Sequence, residues 1–357
     1  MQPLAIELCE RGLVPDRLAR AGMRRLIGQR LRAESAADAA TRRERMRRFL
    51  QHASSGPVAE HTAAANRQHY EVPAAFFEAV LGPRLKYSAC LFDYGVADLA
   101  GAEDAMLALT AQRAGLADGQ HILDLGCGWG SLALWAAGHF PHARIVAISN
   151  SGGQKAHIDA RATAAGLTNL EVLTRDINDF DLKRESRGPF DRIVSVEMFE
   201  HMRNLEELLR RVAGWLTPSG QALVHIFCHR RFAYPFADEG GSDWMARHFF
   251  TGGMMPSEDL LRHFDRDMQV SRQWWLDGSH YQATAEAWLA SLDARRGQLR
   301  ALFAQGYGAD QADRWLQRWR MFFMAVAELF GYRGGQEWGV GHYLLTPRNT
   351  QENGCDH

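Results

Sequence analysis

A short apolar segment that runs into a glycine-rich turn constrains this chain more than any other feature. Residues 121–125 read as a buried strand, the next residues repeat glycine in a G-x-G-x-G pattern, and a helix follows from Ser131 to Phe140. Glycine lets the backbone approach a ligand closely, and the first turn of a helix offers amide groups with no partner inside the helix. Gly126, Gly128 and Gly130 therefore predict a ligand-binding turn at the first strand of an α/β sheet.

An aspartate two residues before the first glycine separates this turn from a dinucleotide-binding turn. Dinucleotide folds carry the spacing G-x-G-x-x-G and need no acid at the strand end. Here Asp124 brings a carboxylate to the turn, where it suits a cationic ligand. S-adenosylmethionine carries both a sulfonium and an ammonium group, so the segment predicts the first cofactor-binding motif of a class I methyltransferase.

The composition narrows the remaining possibilities. At 357 residues the chain is long enough for one large globular domain with additions, and a formal net charge of −1 argues against a general nucleic-acid binder. The five cysteines form no C-x-x-C pair, which favours reduced thiols over a disulfide framework or a zinc site. No apolar run is long enough to span a bilayer and no signal-peptide pattern is present, so we expect a cytoplasmic protein.

From about residue 118 onward, apolar strands alternate with helices, which indicates a mostly parallel sheet covered on both faces. The predicted strands are His121–Leu125, Arg144–Ser149, Leu170–Thr174, Asp191–Val196 and Ala222–Phe227, with two late strands near Gln269–Trp275 and Trp338–Leu345. The predicted helices between them are Ser131–Phe140, Gln154–Ala165 and Leu205–Leu216. The predicted fold class is therefore α/β, a Rossmann-like class I methyltransferase sheet of seven mostly parallel strands.

Helical additions are expected around this sheet. Residues 1–68 are predicted to form a helical N-terminal extension, 69–117 a helical segment that closes over the cofactor, and 118–346 the cofactor-binding domain. Helical substrate-cap insertions are expected at about 228–262 and 281–333, where open α/β sheets bind ligands, and residues 347–357 read as a disordered tail.

The helix Thr41–Leu50 is rich in arginine and has two interpretations. It is either a solvated face packed on the main domain, or a weak contact with an anionic membrane surface or a partner. The sequence leaves open whether the protein is a monomer or a homodimer.

Polar residues at the ends of the second and third strands suit a nucleoside. Asn150 and Gln154 can hydrogen-bond a ribose or adenine without adding charge, although Asn150 or Ser151 also suits simple capping of the following helix. Asp176 and Ile177 follow the third strand, where a carboxylate accepts from the adenine amino group and an aliphatic side chain covers the ring.

The fourth strand ends in two glutamates and a histidine that share one face if the chain turns helical there. Glu197, Glu200 and His201 can attract a protonated amine and take its proton, which leaves the nitrogen lone pair free to attack a methyl group. A salt-bridged helix start is the plainer interpretation. A metal site is disfavoured, because no further histidine or aspartate lies at useful spacing.

Ordered motifs along nearly the whole chain resemble the cyclopropane-fatty-acid synthase superfamily, and within it the coclaurine N-methyltransferase branch most closely. They are Gly12–Pro15, His69–Pro73, Leu85–Ser88, Leu123–Ser131, Glu197–Met202, Phe249–Gly253 and Ala325–Tyr332. The resemblance implies that Tyr87 and Ser88 close over the methionine end of the cofactor. It also implies that the glutamates and the histidine named above surround the acceptor nitrogen.

With these assignments the expected site is complete. The predicted cofactor contacts are Tyr87, Ser88, Asp124, Gly126, Gly128, Asn150, Gln154, Asp176, Ile177 and Val196. The predicted catalytic residues are Glu200, His201 and Glu197, and the predicted substrate contacts are Tyr70, Glu71, His225, Phe227, Tyr281, Phe322 and Tyr332. We expect N-methylation of a small tetrahydroisoquinoline-like or arylalkylamine substrate, with a few cap aromatics forming a cage for it.

The lipid branch of the same superfamily is the main alternative. Its enzymes methylate an acyl-chain alkene and hold a bicarbonate as base through a Cys, a Glu, a His, an Ile and a Tyr, and Glu200, His225 and Tyr281 match three of these. This chain departs from the lipid enzymes at four positions. The bicarbonate-binding cysteine is displaced by one residue, to Cys90, and Phe227 takes the place of the isoleucine. Val326 replaces a further cysteine, and Glu197 replaces a glycine. An extra carboxylate suits a cationic acceptor but is costly to bury beside a hydrocarbon, so an amine acceptor is favoured over an alkene.

A non-catalytic cofactor-binding protein of the same fold is the third possibility. The intact polar residues and the intact glycine turn disfavour it.

Overall fold

A seven-stranded sheet forms the centre of the molecule. The structure is a computed structural model that describes residues 3–35, 38–60, 72–93, 95–182, 188–236 and 244–348. The sheet strands are β1 (His121–Leu125), β2 (Arg144–Ser149), β3 (Leu170–Thr174), β4 (Phe190–Val196), β5 (Leu216–His229), β8 (Met268–Asp277) and β9 (Trp338–Pro347). They lie side by side in the order β3-β2-β1-β4-β5-β9-β8. The strands β1 to β5 run parallel, and β9 is antiparallel to both of its neighbours. The predicted fold class is confirmed.

Helices cover the sheet and extend beyond it. They are α1 (Pro3–Glu10), α2 (Asp16–Ser35), α3 (Ala39–His52), α4 (Ala74–Val80), α5 (Leu99–Ala114), α6 (Ser131–His139), α7 (Gly152–Ala164), α8 (Leu205–Trp215), α9 (Trp244–His248), α10 (Gly278–Ala294), α11 (Arg296–Tyr307) and α12 (Ala312–Phe330). A small hairpin, β6 (Tyr234–Pro235) and β7 (Met254–Met255), lies beside the main sheet. None of these helices is both long and apolar enough to cross a membrane.

Both faces of the sheet are buried, because successive strand residues point to opposite sides. Ile122 of β1 packs into a core with α5, α6 and α7, whereas Leu123 packs into a second core that includes α8 and Phe49 of α3. The near-continuous apolar strands thus reflect a sheet that is covered on both sides.

Two elements begin differently from the sequence expectation. The strand β5 starts at Leu216, earlier than the predicted Ala222, and its register against β4 shifts between Phe190 and Arg192. Helix α7 starts at Gly152, where the Ser151 hydroxyl accepts a hydrogen bond from the Gln154 amide. The capping interpretation therefore holds for Ser151, and Asn150 precedes the cap.

A helical cap built from α10, α11 and α12 forms a third core together with α1, α2 and α4. The buried Glu10 carboxylate of α1 accepts hydrogen bonds from Trp244, Arg314 and Arg318 at 2.7–2.9 Å. Arg20 of α2 is bidentate on Glu286 and also reaches Glu328. The N-terminal helices are thus fastened to the cap through several ion pairs. The cap in turn faces the carboxyl ends of the central strands.

Candidate active site

Two adjoining hollows lie at the carboxyl ends of β1 to β4, beneath the cap. The space between the atoms that line them, open solvent included, is about 950 Å³ in the first hollow and about 780 Å³ in the second. They share the walls formed by Gly126, Gly128, Gln154, Glu197 and His201. The shared wall makes them one cleft. We call its cofactor side the second hollow together with the part of the first that is lined by Asp124, Tyr87 and Ser88; the cap side is the rest of the first hollow, lined by Glu200 and aromatic side chains.

The glycine turn forms the floor of the cofactor side. Gly126 has φ +86°, and a Cβ placed there would stand 2.7 Å from Cγ of Met198. Gly128 has φ +52° and open space around it. The backbone is thus exposed to the cleft at both positions, as the sequence pattern predicts.

Asp124, the last residue but one of β1, has one carboxylate oxygen engaged and the other without a partner among the described residues. The Ala133 amide hydrogen-bonds the carboxylate, while Oδ2 is buried and unpartnered. Burial raises the pKa of this carboxyl to about 7. An unsatisfied buried carboxylate at the edge of a cleft is stabilised by a cationic ligand, which is the chemistry of the S-adenosylmethionine ammonium group.

Gln154 is the second orphaned group on the cofactor side. Its Oε1 accepts a hydrogen bond of 2.6 Å from the Ser149 hydroxyl, so the amide is held with Nε2 as a buried donor that has no partner in the described chain. Asn150, Asp176 and Ile177 line the same hollow. A buried donor, an amide and a carboxylate beside an aliphatic side chain fit a nucleoside.

Tyr87 and Ser88 reach the cleft from the loop before α5. Lys86 of this loop is fully buried, and its ammonium group donates to Ser88 Oγ and to the Ala89 carbonyl at 2.7 Å. The loop itself is held by Glu103, whose carboxylate accepts the Gly82, Arg84 and Lys86 amides at 2.8–3.1 Å. The structural roles of Lys86 and Glu103 were not predicted from the sequence. A lysine in a loop and a glutamate within a helix are usually exposed, so nothing in the sequence indicates that these two are buried.

Glu197, Glu200 and His201 come together, although not on one helical face. Glu197 follows β4 with φ +46°, in the left-handed region, and a single 3₁₀ turn, Phe199–His201, brings the other two residues round. All three line the cap-side hollow. The expected convergence is present, but its cause is a strained backbone position followed by a tight turn.

The Glu197 carboxylate is held by three donors. Its Oε1 accepts from the Ala89 amide at 2.9 Å and from His225 Nε2 at 3.3 Å, and its Oε2 accepts from the Tyr281 hydroxyl at 2.7 Å. Two of these donors, His225 and Tyr281, are the ones that the resemblance assigns to the bicarbonate of the lipid enzymes. In this chain a protein carboxylate receives their hydrogen bonds.

Glu200 has the opposite environment. Its side chain is fully buried, and neither carboxylate oxygen has a hydrogen-bond partner among the described residues. Burial, reinforced by the neighbouring Glu197, raises the pKa of Glu200 well above its ordinary value. His201 lies beside it with its ring parallel to Phe250, at a centroid distance of 5.7 Å and an angle of 5°.

Apolar and aromatic side chains close the cap side of the cleft. They are Phe227, Phe250, Tyr281, Trp288 and Phe322. The other aromatics of the cap pack mainly against one another; Phe249, for example, stacks on Phe322 at 4.4 Å from the side away from the cleft. A few aromatics therefore line the cap side of the cleft, and the others pack into the core.

Several predicted contacts have other positions. Val196 lines the cleft beside the glycine turn. His225 is completely buried behind Glu197 and does not form the cleft wall. Tyr332 lies apart from both hollows, because its 3₁₀ turn directs the ring against Trp338 at 5.9 Å. Tyr70 and Glu71 lie outside the described residues. Within the described chain, no cluster of three or more His, Cys, Asp or Glu could hold a metal ion.

Comparison with known proteins shows the family of this chain. Residues 59–335 match the family model described as mycolic acid cyclopropane synthetase. The chain is 34% identical to (S)-coclaurine N-methyltransferase of Thalictrum flavum subsp. glaucum, over 94% of this chain and 93% of the relative. It is 28% identical to the cyclopropane-fatty-acyl-phospholipid synthase of Escherichia coli K12, over 77% of this chain and 66% of that relative.

Among solved structures, the molecule superposes on coclaurine N-methyltransferase bound to N-methylheliamine and S-adenosylhomocysteine. The TM-score is 0.91 at 32% sequence identity, and the match covers 96% of this chain and 98% of the other. S-adenosylhomocysteine is what remains of S-adenosylmethionine after methyl transfer, and the orphaned Asp124 and Gln154 atoms fit that donor. The chain therefore belongs to the mycolic acid cyclopropane synthetase family and is an S-adenosylmethionine-dependent methyltransferase.

Proposed function

We propose that this N-methyltransferase acts on a small secondary or tertiary amine of the tetrahydroisoquinoline or arylalkylamine type. One observation carries the proposal: Glu200 is fully buried, faces the cleft, and has two carboxylate oxygens with no partner among the described residues. An ammonium group supplies the missing hydrogen bonds and the missing charge. A hydrocarbon acceptor supplies neither.

The residues on the cofactor side prepare the methyl donor. Asp124 would hold its ammonium group, Gln154 and Asn150 its nucleoside, and Tyr87 with Ser88 would close over its methionine end. When bound, S-adenosylmethionine supplies a methyl group on a positively charged sulfur. The protein's own task is then to present a nucleophile in line with that methyl group.

The acceptor side turns an ammonium ion into a nucleophile. An aliphatic amine arrives protonated at neutral pH. Burial raises the pKa of Glu200 and of Glu197, and the positive charge of the arriving ammonium group favours the ionised form of both. A proton passes from nitrogen to Glu200 or His201, which frees the lone pair. The nitrogen–carbon bond forms as the sulfur–carbon bond breaks, and the electron pair of that bond stays on sulfur, which becomes a neutral thioether.

The aromatic wall favours a cyclic or aryl-bearing amine over a long chain. Phe227, Phe250, Trp288 and Phe322 enclose the space beside the carboxylates with flat, apolar surfaces. Such faces suit the aromatic ring of the acceptor and also stabilise its cationic nitrogen.

The lipid alternative is less well supported by the chain's own residues. Glu197 receives the hydrogen bonds of His225 and Tyr281 that a bicarbonate would otherwise take. Cys90 does not line the cleft; it is buried, and its amide is bonded to Thr284. A carboxylate without a counter-ion would also raise the cost of placing an acyl chain beside it.

A radiolabelled methyl-transfer assay separates the two acceptors. The purified chain is incubated with S-[methyl-³H]adenosylmethionine and either a panel of tetrahydroisoquinolines and phenethylamines or vesicles of unsaturated phospholipid. We expect label in the amine fraction and none above background in the lipid fraction. Label in the acyl chains with none in any amine would overturn the proposal.

A further inference from the structure

A line of hydrogen bonds runs from the surface of the molecule to the Glu197 carboxylate. Arg113, in the last turn of α5, bonds His342 Nδ1 at 2.9 Å, and His342 Nε2 bonds His225 Nδ1 at 2.8 Å. His225 Nε2 then reaches Glu197 Oε1 at 3.3 Å. Both histidines are 0% exposed, so neither exchanges hydrogen bonds with solvent.

The chemistry of arginine fixes the direction of this line. A guanidinium group can only donate, so His342 Nδ1 must accept. A neutral imidazole that accepts at one nitrogen donates at the other, so His342 donates to His225, and His225 donates to Glu197. Every hydrogen bond in the line therefore points toward the carboxylate.

The same logic holds both rings neutral. If His225 were protonated, its Nδ1 hydrogen would meet the Nε2 hydrogen of His342, and the two donors would repel. Burial, with the nearby positive charges of Lys86 and Arg113, lowers the pKa of His225 and that of His342 well below the ordinary value. The two neutral histidines thus polarise and orient the Glu197 carboxylate, and neither of them carries an additional proton.

The sheet explains why these residues are aligned. His225 of β5 and His342 of β9 are paired directly across the antiparallel ladder, and Trp274 of β8 is the next residue in the same row. Arg113 lies over the Trp274 indole at 4.9 Å, and Arg272 lies over the same ring at 4.8 Å. The row is therefore anchored at its outer end by two stacked arginines, of which Arg113 is the one bonded to His342.

We propose that Arg113 is a positioning residue for methyl transfer, acting through His342 and His225 to orient the Glu197 carboxylate and keep it ionised. This inference rests on the proposed function of Glu197 in drawing in a protonated amine. The other titratable groups that face Glu197 are Lys86, Cys90, His201, Glu200 and Tyr281. None of these is altered when Arg113 is changed.

Without Arg113 the two imidazoles are free to exchange tautomers. His225 can then present a lone pair to the Glu197 carboxylate in place of a hydrogen, and this repulsion raises the pKa of Glu197. Activity at the acid end of the pH range requires ionised Glu197. The acid limb of the kcat/KM profile should therefore move to higher pH.

The test compares Arg113→Met with Arg272→Met, which removes an arginine from the same indole but not from the line. We expect the acid limb of Arg113→Met to rise by at least about half a pH unit, with kcat/KM about threefold or more below wild type on that limb, which is the same shift expressed as a ratio. Arg113→Lys, which retains a donor, should restore the profile, and Arg272→Met should match wild type. Superimposable profiles for Arg113→Met and Arg272→Met would overturn the inference.

A second readout does not depend on activity. Nitrogen-15 spectra of histidine-labelled protein, with the two signals assigned through His225→Phe and His342→Phe, should show both rings as neutral Nε2–H tautomers in wild type. In the Arg113→Met variant, His225 and His342 should no longer both be Nε2–H tautomers. An Nδ1–H tautomer or a protonated ring in wild type would overturn the proposed direction of the hydrogen bonds. Failure of wild type to methylate any amine would instead overturn the proposed function, and the tautomer result would still hold.

Discussion

The two sides of the cleft each contain a buried acid with at least one carboxylate oxygen that has no partner among the described residues, but the two sides are built in different ways. Asp124 lies in a continuous strand–turn–helix segment, and its neighbours on the cofactor side come from the ends of β1, β2 and β3. Glu200 lies among residues brought from distant parts of the chain, such as Tyr281 and Phe322. The cofactor side therefore depends on local backbone geometry, and the acceptor side depends on how the cap is seated.

The largest expected effect isolates the acceptor side. Glu200→Ala and His201→Ala should each lower turnover by about 100-fold or more, because the proton on the acceptor then lacks a positioned base. Cofactor affinity, measured by calorimetry, should stay nearly unchanged. Glu206→Ala, a nearby glutamate in the first turn of α8 that pairs with Arg266, is the matched control. Unaltered turnover in both active-site variants would remove the general-base assignment.

The next test isolates the cofactor side. Asp124→Asn should weaken S-adenosylmethionine binding by about 10-fold or more, since a charge-assisted hydrogen bond to the ammonium group is lost. Binding to wild type should also weaken as the pH falls below about 7, where the Asp124 carboxyl takes up a proton. The same decline in the asparagine variant would show that another group is responsible.

Stability should respond in the opposite sense to affinity. The folded pKa of Asp124 is raised from 3.8 to about 7, so this group favours folding below its unfolded pKa, and that contribution is lost as the pH rises through about 7. Asp124→Asn should therefore raise the melting temperature of the cofactor-free protein at pH 8 by a few degrees, with little change at pH 4. Glu200→Gln should do likewise while leaving cofactor affinity intact. A loss of stability in both variants at pH 8 would contradict the account of the two orphaned acids.

A smaller effect distinguishes two glycines of the turn. Gly126→Ala places a methyl group 2.7 Å from Met198 Cγ at a left-handed φ, so it should lower both stability and cofactor affinity. Gly128→Ala meets open space and should cost only the backbone strain of about 1 kcal/mol in unfolding free energy. Thermal unfolding with and without cofactor measures both. Equal losses for the two variants would mean that Met198 moves aside.

The smallest expected effect concerns one donor to Glu197. Tyr281→Phe removes the 2.7 Å hydrogen bond to Oε2, so the pKa of Glu197 should rise and the acid limb of kcat/KM should shift upward. At neutral pH we expect turnover to fall by about 3- to 10-fold, with cofactor affinity unchanged, on the basis of a single lost hydrogen bond to a charged group. If the acid limb of the kcat/KM profile of Tyr281→Phe coincides with that of wild type, Tyr281 contributes packing and not a hydrogen bond that matters for activity.

The cofactor side was predictable from sequence because its signals are short-range. The glycine spacing, Asp124 and the polar strand ends each lie within a few residues of the element that positions them. Tyr87 and Ser88 were expected only from the family resemblance, and all ten predicted cofactor contacts line the cleft. The fold followed for the same reason, since alternation of apolar strands and helices is a local pattern. The roles of these ten residues remain predictions to be tested by substitution.

The acceptor side was predictable only in part. The Glu197, Glu200 and His201 positions were identified, but the left-handed backbone at Glu197 and the burial of Lys86 depend on packing that no local pattern records. The tie between His225 and His342 arises from the register of β5 against β9, two strands more than a hundred residues apart. Tyr332 was expected at the substrate and lies elsewhere, because a turn at a helix end can direct its side chain either way.

The left-handed φ of Glu197 has a consequence for how such an enzyme changes its acceptor. Glycine adopts this conformation freely, and a glycine is what the resembling lipid enzymes carry at the position. A single base transition in the second codon position converts a GGA or GGG glycine codon into a glutamate codon. In this chain the Ala89 amide, His225 and Tyr281 donate hydrogen bonds to the Glu197 oxygens, which offsets the roughly 1 kcal/mol of backbone strain. At this position, a single nucleotide change therefore separates the glycine of the lipid enzymes from the glutamate of this chain.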